Sequence, residues 1–363
     1  MVKGVMGYYD GVSVTREASS YAVAKALRAP AVLVVNARGA AHSILAVLAG
    51  FYGLCPDSGI QGVILNNCSP MLYPRLKSLI EAHFHGAVRP LGFLPPLEGC
   101  SLESRHLGLV TAAEVTDLQK KLRILGENTE KYVDLDGLLA LAHSAPALSW
   151  QAPSLPAPGS PVRIALARDK AFCFYYEDNL RLLEQLGAQL VPFSPLEDGA
   201  LPENIQGLYL GGGYPELYAQ ELSRNTSLRL ELRRALEGKL PCIAECGGFL
   251  YLQETLLDYP MVGFLKGRGF YTGHLVRFGY ASLTAQRDGM LLRRGESVQA
   301  HEFHYYDVDD PGDGFMAQKA SGASWRCGVT TDSLYAGFPH LHFYANPILA
   351  ARFLDRCRKG AML

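Results

Sequence analysis

The chain has 363 residues, 48% of them hydrophobic, with 34 Lys and Arg against 35 Asp and Glu and a formal net charge of −1. That length suits two domains of ordinary size, and balanced charge without a dense Lys/Arg block excludes nucleic acid as the main partner. Eight cysteines, none in a C-x-x-C pair, make neither a disulfide framework nor a structural zinc site.

The N-terminus, Met1 to Gly7, is too glycine-broken for the apolar core of a signal peptide. The most apolar run, Ala29 to Val35, is too short to span a bilayer. No membrane partner is expected, and a reducing cytoplasm suits the free thiols.

In chain order, Val2 to Gly11 reads as the end of a buried strand entering a glycine-punctuated loop. A helix follows over Ser19 to Leu27, then a buried β-branched strand over Ala31 to Val35. Ser43 to Phe51 reads as a helix, Gly62 to Leu65 as a strand, Pro74 to His83 as a helix and Val88 to Phe93 as a strand. Alternating strands and helices predict a parallel sheet with helices on both faces. Ligands bind such sheets beyond the carboxyl ends of the strands. Asp10, Asn36 and Asn67 fall at such ends and together suggest a polar site.

The loop Glu103 to Leu109 sets Arg105 beside His106 ahead of a helix expected over Ala112 to Leu125. Arg105 there either pairs with a neighbour or holds a carboxylate-bearing substrate. No G-x-x-x-x-G-K-[ST] phosphate loop occurs in the sequence.

Prolines interleaved with Ser and Ala mark 144–161 as a linker. A second series follows it, with strands over Val162 to Ala167, Gln189 to Phe193 and Gly207 to Leu210, and helices over Glu177 to Leu186 and 227–238. Gly211, Gly212 and Gly213 follow one strand and offer bare N–H groups to an anion.

The stretch Leu240 to Leu252 reads as an apolar strand, a turn of Cys246, Gly247 and Gly248, and an apolar helix. The helix aims its free N–H groups at the sulfur, which favours thiolate and can bind a developing oxyanion. A small buried thiol is the bland alternative, which the glycine pair argues against; Cys246 is therefore taken as a nucleophile. Its base must come from elsewhere in the chain. His340, in a Gly/Pro-shaped loop after the strand-like Ser333 to Ala336, is best placed. Phe270 to Thr284 looks antiparallel, and 301–305 looks like a strand lining a cleft. The acid that would orient the imidazole is not evident: an H-x-E spacing needs Glu at 342, where His342 stands.

The segments GVMGYYDG (4–11), NARG (36–39), GVILN (62–66), ESRHLGL (103–109), YLGGGYPE (209–216), AECGGFLYL (244–252), HEFHY (301–305) and AGFPHLHF (336–343) resemble the cobyrinic acid a,c-diamide synthase family, in the family's order. The resemblance implies an α/β protein of two domains. Residues 1–143 would be a dethiobiotin-synthetase-like domain with an N-terminally incomplete P-loop-type parallel sheet, 144–161 the linker, and 162–363 a class I glutamine amidotransferase domain. It implies that Cys246 forms a γ-glutamyl thioester and releases ammonia, with His340 as its partner. Gly212, Gly213 and Gly247 would bind the oxyanion or glutamine. Asp10, Arg105 and His106 would serve the acceptor, cobyrinic acid or a related tetrapyrrole acid. No protein metal ligand is assigned.

ATP and Mg²⁺ are the family's cofactors, and two departures bear on them. The family's phosphate-loop strand and helix precede the GVMG segment and are expected to be missing here. Lys3 also stands where a magnesium-binding Glu is usual, and a lysine cannot ligate Mg²⁺. A homodimer or a complementing N-terminal half stays open as partner. The same chemistry on another tetrapyrrole, such as a nickel sirohydrochlorin, and a non-ligating glutaminase or scaffold half of a split synthetase are the alternatives.

Overall fold

The computed structural model describes all residues except 5, 103, 106–107, 110–114 and 361–363. The chain divides into two compact units, Met1–Ala152 and Pro153–Leu363.

The first unit begins with α1 (Ser20–Ala26), whose N-cap Ser19 accepts the Ala22 N–H at 3.1 Å. There follow β1 (Ala31–Asn36), α2 (Ser43–Gly53), β2 (Ile60–Asn66), α3 (Tyr73–Phe84) and β3 (Arg89–Leu94). The three strands pair in parallel in the order β1-β2-β3, as the alternation predicts. Leu33, Val63, Leu65, Ile80 and Phe84 are among the residues packed in its core. A two-residue ladder joins β4 (Ser104–Arg105) to β5 (Gly108–Leu109). Then come α4 (Leu118–Tyr132) and α5 (Leu135–His143), the latter capped by Asp134, which accepts the Gly137 N–H at 2.8 Å.

Three expectations for this unit need correction. The described residues of 2–11 form no strand: Val2 and Met6 are exposed. Tyrosines fasten this segment in place of a ladder, with the Tyr8 hydroxyl donating to Ser58 O at 2.5 Å and that of Tyr9 to Phe51 O at 2.7 Å. Strand β1 exists but is not buried throughout. It lies at the sheet edge, buries Leu33 and leaves Val34 65% exposed. The helix expected from Ala112 is described only from Leu118 and runs on to Tyr132.

The second unit opens with β6 (Val162–Ala167), α6 (Glu177–Gln185), β7 (Ala188–Phe193), β8 (Gly207–Leu210), a short 3₁₀ turn (Pro215–Tyr218), α7 (Ala219–Arg224) and α8 (Thr226–Glu237). It continues through β9 (Cys242–Glu245), α9 (Gly247–Tyr251), β10 (Thr255–Leu256), β11 (Tyr259–Pro260), β12 (Arg268–Tyr271), β13 (Arg277–Ala285), β14 (Ser297–His304) and β15 (Tyr306–Val308). The last elements are β16 (Phe315–Gln318), β17 (Ser324–Cys327), β18 (Val329–Thr330), β19 (Leu334–Gly337), β20 (His340–Leu341) and α10 (Ile348–Gly360).

Its central sheet has the order β18-β19-β9-β8-β6-β7, parallel except for β18. Successive strand residues serve opposite faces. Ile164, Tyr209, Ile243 and Tyr335 enter a core shared with α6, α10 and the antiparallel sheet β17-β16-β13-β14-β20. Ala165, Leu208, Ala244 and Ala336 enter the opposite core with α8 and α9. Both faces of this sheet are therefore dry, and the carboxyl ends of β8, β9 and β19 lie side by side.

Candidate active site

Cys246 follows β9 directly and its backbone stands at φ 48°, ψ −98°, a strained conformation for a residue with a side chain. Its neighbours hold it there. The Cys246 N–H donates to Gly337 O at 2.8 Å and the Gly248 N–H to Gly211 O at 2.9 Å, tying the turn to β19 on one side and to the end of β8 on the other. A Cβ at Gly248 would lie 2.2 Å from Leu210 O, so only glycine permits this approach. The half-buried thiol contrasts with Cys242, four residues earlier, which is buried and whose pKa burial drives upward.

His340 is not in a loop, as the Gly and Pro around it suggested. It opens β20, which pairs with β14 opposite His301. The Tyr335 hydroxyl donating to Pro339 O at 2.9 Å fixes the approach to this strand. Asn179 of α6 holds its far end, donating to Leu341 O at 2.6 Å and accepting the Phe343 N–H at 2.7 Å. The His340 ring is buried, sits edge-on to Phe174 at 4.8 Å between centroids, and packs on Gly212, where a Cβ would lie 2.6 Å from Cε1. Burial alone would lower its pKa. The contact with Cys246 and the nearby charge of Glu245 outweigh that and raise it, to about 10. Imidazolium is therefore the favoured form of the ring.

Glu245, not among the residues singled out from sequence, ends β9 fully buried. Its Oε1 accepts the Leu341 N–H at 3.0 Å, its Oε2 accepts the Tyr209 hydroxyl at 3.0 Å, and Oε2 stands 3.7 Å from His340 Nδ1. An acid closing an otherwise apolar strand was the one available signal. His342 instead lies at the surface, 3.9 Å from Asp178.

The structure brings Gly212, Gly213 and Gly247 beside this pair, with a Cβ at Gly247 only 3.1 Å from Gly213 N. The Gly212 N–H donates to Phe174 O at 3.1 Å, whereas among the described residues the Gly213 and Gly247 amides bond no backbone carbonyl. Next to them Pro215 leads into Glu216, whose pKa burial pushes up to about 7.

In the first unit, Asn36 and Asn67 do meet, with Asn67 Nδ2 donating to Asn36 Oδ1 at 3.1 Å. Asp10 folds back over Gly7, its N–H donating to Gly7 O at 3.0 Å. Arg105 is placed in β4 by its backbone, and His106 lies outside the described residues.

A cysteine on a strained strand-to-helix turn, with a buried histidine set against it, is the arrangement of a glutamine amidotransferase type of unit. Residues 163–348 match the family model of the CobB/CobQ-like glutamine amidotransferase domain. The chain belongs to the cobyrinate a,c-diamide synthase family. A cobyrinate a,c-diamide synthase of Clostridium acetobutylicum is 39% identical over 95% of this chain and 79% of its own length. One from Caldanaerobacter subterraneus is 38% identical over 98% of this chain and 80% of its own. Among the described residues no helix is long and apolar enough to cross a membrane.

Proposed function

We propose that this chain is a glutamine-dependent ligase that amidates the a and c side-chain carboxylates of cobyrinic acid, with ammonia drawn from glutamine at Cys246 and His340. The strained turn at Cys246, set against the buried His340, carries this reading. The sulfur attacks the glutamine side-chain carbonyl, forming a C–S bond and an oxyanion that the Gly213 and Gly247 amides face. As the C–N bond breaks, the His340 imidazolium gives its proton to the departing ammonia. Water then adds to the γ-glutamyl thioester. Neutral His340 takes its proton, and the C–S bond breaks to release glutamate and thiolate. The ammonia goes on to the acceptor carboxylate.

The first unit is read as the synthetase domain, with 144–161 as linker and Asp10, Arg105 and His106 serving the acceptor. ATP and Mg²⁺ would supply carboxylate activation. The sequence has no phosphate-loop motif, and the described residues hold no cluster of three His, Cys, Asp or Glu fit for a metal. They do not fit a nucleotide–metal site by themselves, and no step here passes through one. Eight free thiols support a reducing, cytoplasmic setting.

The test is ammonia release from glutamine. Cys246→Ser should lower it by about a thousandfold or more while the circular dichroism and melting temperature stay unchanged. Normal turnover in that variant would overturn the assignment. A γ-glutamyl adduct trapped on the Cys246 peptide of the wild type would support it directly.

A further inference from the structure

We propose that Glu245, the residue immediately before the nucleophile, is the positioning residue of this site, its carboxylate setting the tautomer of His340 and steadying the imidazolium. The inference rests on the glutaminase reading of Cys246 and His340. A third acid two residues after the histidine is ruled out by sequence, since His342 stands there and faces solvent. Alternation along β9 supplies one from the other direction. Ile243 and Glu245 point to one face of the sheet and Ala244 to the other.

Burying a carboxylate costs several kcal/mol unless its oxygens are satisfied. Here the Leu341 N–H and the Tyr209 hydroxyl occupy one site on each oxygen, both at 3.0 Å. Those two bonds turn Oε2 toward His340 Nδ1, 3.7 Å away. Nδ1 is buried with no hydrogen-bond partner among the described residues. An orphaned ring nitrogen aimed at a fixed carboxylate is a contact that closes when the ring carries its second proton. Catalytic hydrogen bonds often stand long before substrate binds and tighten afterwards. With Nδ1–H directed at Glu245, the other nitrogen, Nε2, is left to exchange a proton with Cys246.

The groups surrounding the pair do not compete for this role. His301 stands opposite His340 on β14, but its own pKa is lowered by burial and by His340, which favours its neutral form. Tyr175, Tyr176, Tyr209 and Tyr335 are all pushed upward by burial and carry no charge at neutral pH. The charges that bear on His340 are those of Cys246 and Glu245.

Glu245→Gln isolates the effect. The amide oxygen can still accept from Leu341, but its NH₂ group now faces Nδ1 and demands an acceptor there. That forces the Nε2–H tautomer, which cannot take a proton from sulfur. The expected result is a loss of about a hundredfold or more in kcat for glutamine hydrolysis, with KM within about threefold of wild type. The inflection that His340 gives to the pH profile of Cys246 alkylation by iodoacetamide should move to lower pH. A kcat within about threefold of wild type would overturn the proposal, as would a large loss of kcat with an unmoved alkylation profile.

Should the variant fail to fold, ¹⁵N-histidine spectra of the wild-type protein decide the matter. His340 protonated at Nδ1 in its neutral form supports the role, and protonation at Nε2 refutes it. Cys246→Ser separates the two levels of the argument. If it is active, the underlying reading fails; if it is inactive while Glu245→Gln keeps its kcat, only the role of Glu245 fails.

Discussion

In the second unit β8, β9 and β19 are buried at every position, whereas in the first unit β1 buries a single residue and leaves Val34 in water. A sheet packed on both faces can hold a residue in a conformation it would not choose. Cys246, at φ 48°, is clamped between Gly337 and the turn after β8 in this way. The polar residues of the first unit, Asn36 and Asn67 at strand ends and Asp10 in a turn, have no such enclosure. Asn36 is exposed and bonds to Asn67, and Asp10 turns back on Gly7. Close packing thus separates the clamped turn at Cys246 in one unit from polar residues without enclosure in the other.

The largest effect expected from this contrast comes from paired core and edge substitutions. Phe353 of α10 is fully buried in the core on the α6 side of the central sheet. Phe353→Ala should cost about 3–5 kcal/mol in guanidinium denaturation. Val34→Thr on β1 should stay within about 0.5 kcal/mol. A Val34→Thr cost of several kcal/mol would mean that β1 is covered in solution, and the contrast would collapse.

Glu216 gives the next effect, and it depends on pH. Its pKa in the folded chain is about 7 against an ordinary 4.5, so folding favours the neutral carboxyl. Below about pH 4.5 both states are protonated and nothing is lost. As pH rises toward 7 the unfolded chain gives up its proton first, and the second unit loses on the order of 2–3 kcal/mol. Glu216→Gln should flatten that decline. An unchanged slope of stability between pH 4.5 and 7 in the variant would show that Glu216 is solvated.

Much of this was legible in the residues, for reasons that also explain the misses. Short apolar runs bounded by turn residues mark β1 to β3 and β6 to β9, because strands of a parallel sheet covered by helices are largely apolar along their length. The same composition could not tell the edge strand β1 from a central one, since what differs is the neighbour and not the strand. Cys246 was readable because its glycines are local. Glu245 was not, because its partners are far away in sequence: Tyr209 lies on the adjacent strand β8 and Leu341 on β20 of the other sheet, and only the tertiary fold brings them together. Gly337 and Pro339 ahead of His340 suggest a loop because the two-residue strand they lead into is too short to leave a pattern. Asp134, an N-cap ahead of an apolar run, is the local signal for α5.

A third effect probes the chemistry of the two units. Asp10 and Arg105 are proposed to serve the acceptor, whereas the glutamine amidotransferase match lies in the second unit. Asp10→Asn and Arg105→Ala should each reduce amidation while glutamine hydrolysis keeps its rate. Loss of a charge-assisted bond to a substrate carboxylate is worth roughly 1.5–3 kcal/mol, or ten- to a hundredfold in binding. If both activities fell together in folded variants, these residues would couple the units instead, and the acceptor site would lie elsewhere.

The smallest effect has the opposite sign and comes from a glycine. Gly50 lies inside α2, exposed, with nothing within 4 Å of where a Cβ would project. Its helical backbone suits any residue, so alanine would add no strain and would restrict the unfolded chain. Gly50→Ala should therefore stabilise the first unit by about 0.5–1 kcal/mol. The same change at Gly248 would drive a methyl into Leu210 O and break the turn that carries Cys246. One substitution thus reports opposite conditions, space around a helix in the first unit and its absence under the nucleophile in the second. Destabilisation by Gly50→Ala in thermal or denaturant unfolding would reveal a neighbour over α2, and with it a more tightly packed first unit than its sheet suggests.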